Sequence, residues 1–230
     1  MVSSDAVKLV VVDLHSHTTH SDGELIPAEL LRRVEVAGLS GVVLTDHVDA
    51  SNVERIVLEN GRAVASERKH GVLMCAVGCE LTHVRPAEMG DLVKRARDLG
   101  AEFVVVHGES PVEPVAPGTN RAAIEAGCDL LAHPGQISED DAKLAAERGV
   151  LLEISGKPGH SLANGHVAAV AARTGAEVVY GGDCHRVDDI RTPSGARNVL
   201  LHAGLSERDA DAALERGVAA LQRASRGGGA

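Results

Sequence analysis

Seven times along this chain a short apolar run, often β-branched, gives way to a helical stretch, and that alternation limits the folds open to it. The runs cover residues 10–12, 41–44, 72–77, 102–106, 128–132, 150–154 and 177–180. Helical stretches are expected at about 27–37, 51–69, 87–99, 120–126, 138–148 and from Asn164, with two more at about 194–202 and 206–223. Pro27 suits the first turn of its helix, Gly38 closes it, and Ser138 caps another with Asp141 three residues on. Helical crossovers join parallel strands, and strands apolar along their length belong in a sheet covered by helices. The chain has 230 residues, 44% of them apolar, which suits one α/β barrel. No repeat or linker divides it. A single domain over 1–224 is expected, with 225–230 a disordered Gly-rich tail.

Six of the seven runs end, on their C-terminal side, in His, Asp or Glu: His15 and His17, His47, Glu80, His107, His133, and Asp183 with His185. In a parallel barrel those ends share one face, where loops build active sites. The opening stretch reads V-V-V-D-L-H-S-H-T-T-H-S-D-G. Alternate residues of an extended chain point one way, so Asp13, His15 and His17 are expected to project together. Imidazoles in H-x-H spacing make half of a metal site. With His20 and Asp22 nearby, the strand ends supply enough ligands for two to three divalent ions.

The formal charge of −10 gives no general attraction for nucleic acid or an anionic membrane, so an anionic substrate must be caught locally. Aromatic residues make up 1% of the chain, too few for a base-stacking platform, which argues against nucleic acid as a partner. The four cysteines lie far apart without C-x-x-C spacing and read as reduced thiols in a cytoplasm. No signal-peptide pattern opens the chain, and no apolar run approaches membrane-spanning length.

The motifs D-L-H-S-H (His15, His17), H-S-D-G (His20, Asp22), T-D-H (Asp46, His47), G-C-E (Glu80), V-H-G (His107), A-H-P (His133) and G-D-C-H (Asp183, His185) run in order over residues 10–187. As a set they resemble the PHP (polymerase and histidinol phosphatase) family. The resemblance implies a distorted seven-stranded (β/α)7 TIM-like barrel with mostly parallel strands. It also implies a trinuclear centre where a metal-bound hydroxide hydrolyses phosphoesters. Carried over by position, the first metal falls to His15, His17, Glu80 and Asp183. The second falls to Glu80, His107 and His133, and the third to Asp22, His47 and His185, with His20 as the alternative to Asp22. Cys184 stands where the family usually has alanine; on an extended strand it points away from both neighbours and reads as packing.

Three divalent ions set against Asp22, Glu80 and Asp183 leave a local charge of about +3 for hydroxide and phosphate. Two ions about 3.5–4 Å apart can activate a bridging water and clamp phosphoryl oxygens. The donor set suits Mn, Zn or Fe better than Ca or Mg. Asp13 is a candidate to orient His15 or His17, and Asp46 to orient His47; turn capping is the alternative for both. His83, Glu109 and Ser110 lie in the surrounding loops. Arg85, Lys157, His160 and Arg186 are the candidate substrate contacts. His160 is also a candidate catalytic residue that protonates the leaving group, alongside Asp183 and His185. His70 and His202 read as surface, and His166 is left open. The expected activity is hydrolysis of a small, histidinol-phosphate-like phosphomonoester. A phosphodiesterase or 3′–5′ exonuclease is one alternative, and a non-catalytic metal-binding structural or regulatory module is another.

Overall fold

Parallel pairing of successive strands builds the molecule, and a computed structural model describes it over residues 9–227. Strands β1 (Val12–Asp13), β2 (Gly41–Leu44), β3 (His47–Val48), β4 (Met74–Leu81), β5 (Phe103–His107), β6 (Leu130–Ala132), β7 (Leu151–Ser155) and β8 (Val178–Gly181) lie in one sheet, in the order β1-β2-β4-β5-β6-β7-β8. Leu44 pairs with Val77 and His47 with Glu80, so β2 and β3 are one stave in one register, interrupted at Thr45 and Asp46. The result is a nearly closed α/β barrel of seven parallel staves. An isolated parallel bridge, Ser16 to Cys184, joins its two edges, with the His17 N–H donating to the Cys184 carbonyl at 2.9 Å. The seam is therefore closed at the C-terminal end, where the candidate site residues lie.

Alternation along each strand sorts the side chains into two layers. Val43, Ala76, Phe103, Val105, Leu130, Leu151 and Val179 fill the barrel. Val42, Cys75, Val104, Leu131, Leu152, Val178 and Tyr180 pack outward against the helices. Those helices are α1 (Pro27–Val36), α2 (Val53–His70), α3 (Met89–Asp98), α4 (Thr119–Ala126), α5 (Glu139–Arg148), α6 (Asn164–Thr174), α7 (Pro193–His202) and α8 (Glu207–Gly227). Their ends carry the expected signals. The Ser138 hydroxyl accepts from the Asp141 N–H at 3.1 Å, and Pro27 opens α1. Helix α8 differs from the others: Ala220 and Leu221 join the interior cluster, and Leu221 lies beside Gly41 at the start of β2. It thus seals the N-terminal end of the barrel. Residues 225–227, read as the start of a disordered tail, are the last turn of this helix, while 228–230 fall outside the described residues. Among the described residues no helix is long and apolar enough to cross a membrane.

Candidate metal centre

The inward alternation continues above the apolar layer, but with polar side chains. Beyond Ala76 the same face of β4 carries Glu80; beyond Val105, β5 carries His107; beyond Leu151, β7 carries Glu153. Two donors reach the centre through strained backbone. His133 (φ +27°) and Asp183 (φ +50°) both adopt left-handed conformations that L-residues rarely take. Ala132 already faces inward, so only this turn brings His133 in beside it. Strain of this kind is retained where surrounding structure enforces it, commonly at functional sites. The chain also bends at Leu14, so β1 does not hold Asp13, His15 and His17 on one side as expected. His15 and His17 enter the centre, and Asp13 turns into the seam.

His15 Nε2 lies 3.3 Å from Glu80 Oε1 and 3.9 Å from Asp183 Oδ1, and His17 Nε2 lies 3.3 Å from Asp183 Oδ1 and 3.7 Å from Glu80 Oε2. An ion held tetrahedrally by bonds of 2.0–2.2 Å separates its donors by about 3.3–3.6 Å. His15, His17 and Asp183 are gathered to share one ion, and Glu80 stands against them, one oxygen toward each histidine. A second group gathers on Asp22: its Oδ1 is 3.3 Å from His185 Nε2, 3.5 Å from His47 Nε2 and 4.0 Å from His17 Nδ1. In a third, His107, His133 and His160 bring ring nitrogens within 4.8 Å of one another. His133 Nε2 lies 3.7 Å from Glu80 Oε1, tying this group to the first.

The chemistry of these donors fits a cation. His15 Nε2, both ring nitrogens of His17 and Glu80 Oε1 are buried without a hydrogen-bond partner. Such orphaned groups are costly unless something absent from the polypeptide satisfies them. Burial alone would raise the carboxyls of Glu80 and Asp183, yet the surrounding histidines hold both well below the usual carboxylate range. Burial would likewise lower His47, but Glu80 and Asp22 push it up to about 10. His17, buried beside other imidazoles, falls to about 4. The carboxylates stay ionised because positive charge stands among them; without metal the imidazolium groups of His15 and His47 supply it, and divalent ions would take that place.

Around these donors the structure reassigns several residues. His20 turns away from the centre, its Nδ1 pairing with the Asn60 side chain at 2.8 Å, whereas Asp22 faces His47 and His185. Asp13 accepts from the backbone N–H groups of His15 (3.1 Å) and Gly182 (2.7 Å), and touches no imidazole nitrogen. Asp46 gathers the Thr18 and Ser21 amides and hydroxyls, so it caps the loop after β1. The orienting role falls instead to Glu153, which sequence reasoning missed: His15 Nδ1 donates to its Oε1 at 2.8 Å. Its signal was a single carboxylate inside the apolar run L-L-E-I-S.

Arg85 lies exposed at the start of a short 3-10 helix, away from the cavity over the centre. Lys157, His160 and Arg186 do line that cavity, which measures about 290 Å³. Lys157 Nζ lies 3.0 Å from both Asp189 Oδ2 and His185 Nδ1. Glu109 accepts from the amides of Gly118 and Asn120 and so serves α4. Ser110 Oγ meets His160 Nδ1 at 2.5 Å. Glu113, on the loop between β5 and α4, also lines the cavity and was not foreseen. Cys184 is buried in the outer core, as packing requires. His70 and His202 end helices on the surface, and His166 pairs with the Ile137 carbonyl.

No protein-family model matches the chain. Over 204 residues it is 40% identical to the uncharacterized protein MJ1295 of Methanocaldococcus jannaschii, covering 88% of this chain and 94% of that one. The chain belongs to the MJ1295 family. Solved structures extend the likeness of the MJ1295-family barrel at the level of fold alone. A chain in the complex of archaeal ribonuclease P with mature tRNA matches with a TM-score of 0.69 at 19% identity, covering 94% of this chain and 91% of its own. A Listeria monocytogenes protein assigned as histidinol phosphatase HisK matches at 0.56 and 14%, over 78% and 97%. An adenosine deaminase from Xanthomonas campestris with bound zinc matches at 0.56 and 14%, over 95% and 67%.

Proposed function

We propose that this protein is a metal-dependent hydrolase of phosphoesters, with a small phosphomonoester as substrate and a PHP-like centre. The observation that supports it most is the set of buried, partnerless donor atoms on His15, His17 and Glu80, gathered with Asp183 at ion spacing under an open cavity. One ion falls to these four residues. Another falls to Asp22, His47 and His185, with His17 beside them, and a further one to the group around His107 and His133. Ions of this kind, when bound, polarise a phosphoryl oxygen and lower the pKa of water.

The chain supplies the rest. Lys157 and Arg186 place positive charge on the cavity wall, where an ester dianion needs it in a protein of −10 overall. Asp189 fixes the Lys157 ammonium through its 3.0 Å contact. Asp183 and His185 stand on one short segment that joins the first and second groups, so they hold the reacting face in register. A cavity of about 290 Å³ suits a small ester.

A second reading is a phosphodiesterase or nucleic-acid-directed protein, favoured by the fold shared with a ribonuclease P chain. The test is a manganese-loaded preparation assayed on an aryl phosphomonoester and on the matching diester, with a chelator-treated sample and Asp183→Ala as controls. Monoester turnover lost in both controls supports the proposal. Diester turnover alone moves the protein to the second reading. No turnover of either, with metal bound, favours a narrow substrate range or a non-catalytic metal-binding structural or regulatory module.

A further inference from the structure

The group around His107 differs from the others in what completes it. His107 Nδ1 faces the Gly108 carbonyl at 3.1 Å and His160 Nδ1 faces Ser110 Oγ at 2.5 Å, so both rings present Nε2 to the centre. A protein acceptor on the second ring nitrogen is the usual arrangement of a metal-bound histidine. His133 packs between them, with its ring centroid 4.0 Å from His160 and 4.4 Å from His107. On the open side stands Glu113. Its Oε2 is 3.1 Å from His107 Nε2 and its Oε1 is 3.5 Å from His160 Nε2. The loop that carries it contains Pro111, Pro114 and Pro117, which restrict its backbone. His83, itself in a left-handed conformation (φ +54°), braces the same Oε2 at 3.3 Å.

We propose that His107, His133, His160 and Glu113 together form one four-donor metal site, with Glu113 as a ligand arm reaching in from the loop. This rests on the reading of the barrel mouth as a metal centre and goes beyond the set of Glu80, His107 and His133 that the PHP resemblance implies. Three imidazoles and one carboxylate suit a borderline ion such as zinc. Glu80 then serves His15, His17 and His47, whose Nδ1 is 2.7 Å from its Oε2. His160 holds an ion and is removed from the role of proton donor to a leaving group. Glu113, 36% exposed at the rim, is also the ligand a substrate oxygen is best placed to displace.

The test is zinc binding by the full-length, metal-stripped protein, measured as equivalents retained in competition with a chelator. It is paired with the visible spectrum of the cobalt-substituted protein. Glu113→Ala and His160→Ala are compared with wild type and His107→Ala, and His20→Ala serves as an unaffected control. Expected is that Glu113→Ala and His160→Ala, like His107→Ala, each lose one equivalent or bind it at least about tenfold more weakly, with a changed cobalt spectrum. Unchanged zinc stoichiometry, affinity and cobalt spectrum in Glu113→Ala and His160→Ala would overturn the four-donor site while leaving the wider metal centre standing. A wild type that binds no zinc, manganese or iron would overturn both. Loop residue Glu113 carries no core packing, so the folded state of its variant, checked by circular dichroism, is expected to match wild type.

Discussion

Glu153 steers two donors with one carboxylate: its Oε1 accepts from His15 Nδ1 at 2.8 Å, and its Oε2 accepts from the His133 backbone N–H, also at 2.8 Å. It thereby fixes the tautomer of one ring and supports the left-handed turn that carries the other. Glu153→Gln is expected to weaken metal binding by about 10–100-fold with the fold intact. Chelator-competition titration checks this, and an affinity equal to wild type would remove Glu153 from the centre.

Gly181 and Gly182 leave room for these carboxylates, since a Cβ on Gly181 would run into Glu153 and one on Gly182 into Asp13. Gly181→Ala is expected to cost about 1–3 kcal/mol of stability by overpacking, and to lower metal affinity with it. Gly61, in the middle of α2, has nothing near where its Cβ would sit, so Gly61→Ala is expected to stabilise by about 0.5–1 kcal/mol. Urea unfolding of the two variants side by side reads the contrast.

Without metal, His47 keeps its proton to a pH of about 10 because Glu80 and Asp22 outweigh the effect of burial. A base whose folded pKa is raised contributes stability that is complete below its unfolded pKa, about 6.5, and is lost as pH rises through the folded value. The melting temperature of chelator-treated protein is therefore expected to fall between pH 7 and 10. His47→Asn should flatten that fall, and metal loading should largely abolish it, because the ion takes the proton's place. Differential scanning calorimetry across this range is the measurement.

All four cysteines are free and buried. Burial pushes Cys75 up to about 11 and Cys79 to about 12, and raises Cys128 and Cys184 as well. Thiolate is the reactive form, so a thiol reagent at pH 8 is expected to label the native protein at least a hundredfold more slowly than the unfolded chain. Rapid labelling of the native state would show that the outer core opens.

Much of this was legible in the sequence for a simple reason. Apolar runs bounded by helices dictate a parallel barrel, and the C-terminal ends of its strands must meet, so His15, His17, His47, Glu80, His107, His133, Asp183 and His185 had one place to converge. What escaped depended on departures from regular geometry. The bend at Leu14 sends Asp13 to the seam, which strict alternation cannot foretell. Glu153 lay inside a strand rather than at its end. Glu113 sits on a loop whose path is set by prolines and by contact with His83, not by any periodic pattern. His20 and Asp22 share one turn, and only the position of Asn60 on α2 separates them.

Helix α8 gives the molecule a final property. With Ala220 and Leu221 sealing the lower end, the barrel is a well with a floor. On the proposed function, ions, water, ester and product would share the passage from above, beside Glu113, Lys157 and Arg186. An anion resting in that passage would shield ions bound beneath it. Occupancy of the well by phosphate should therefore slow the escape of metal to a chelator, so that product and cofactor retain one another.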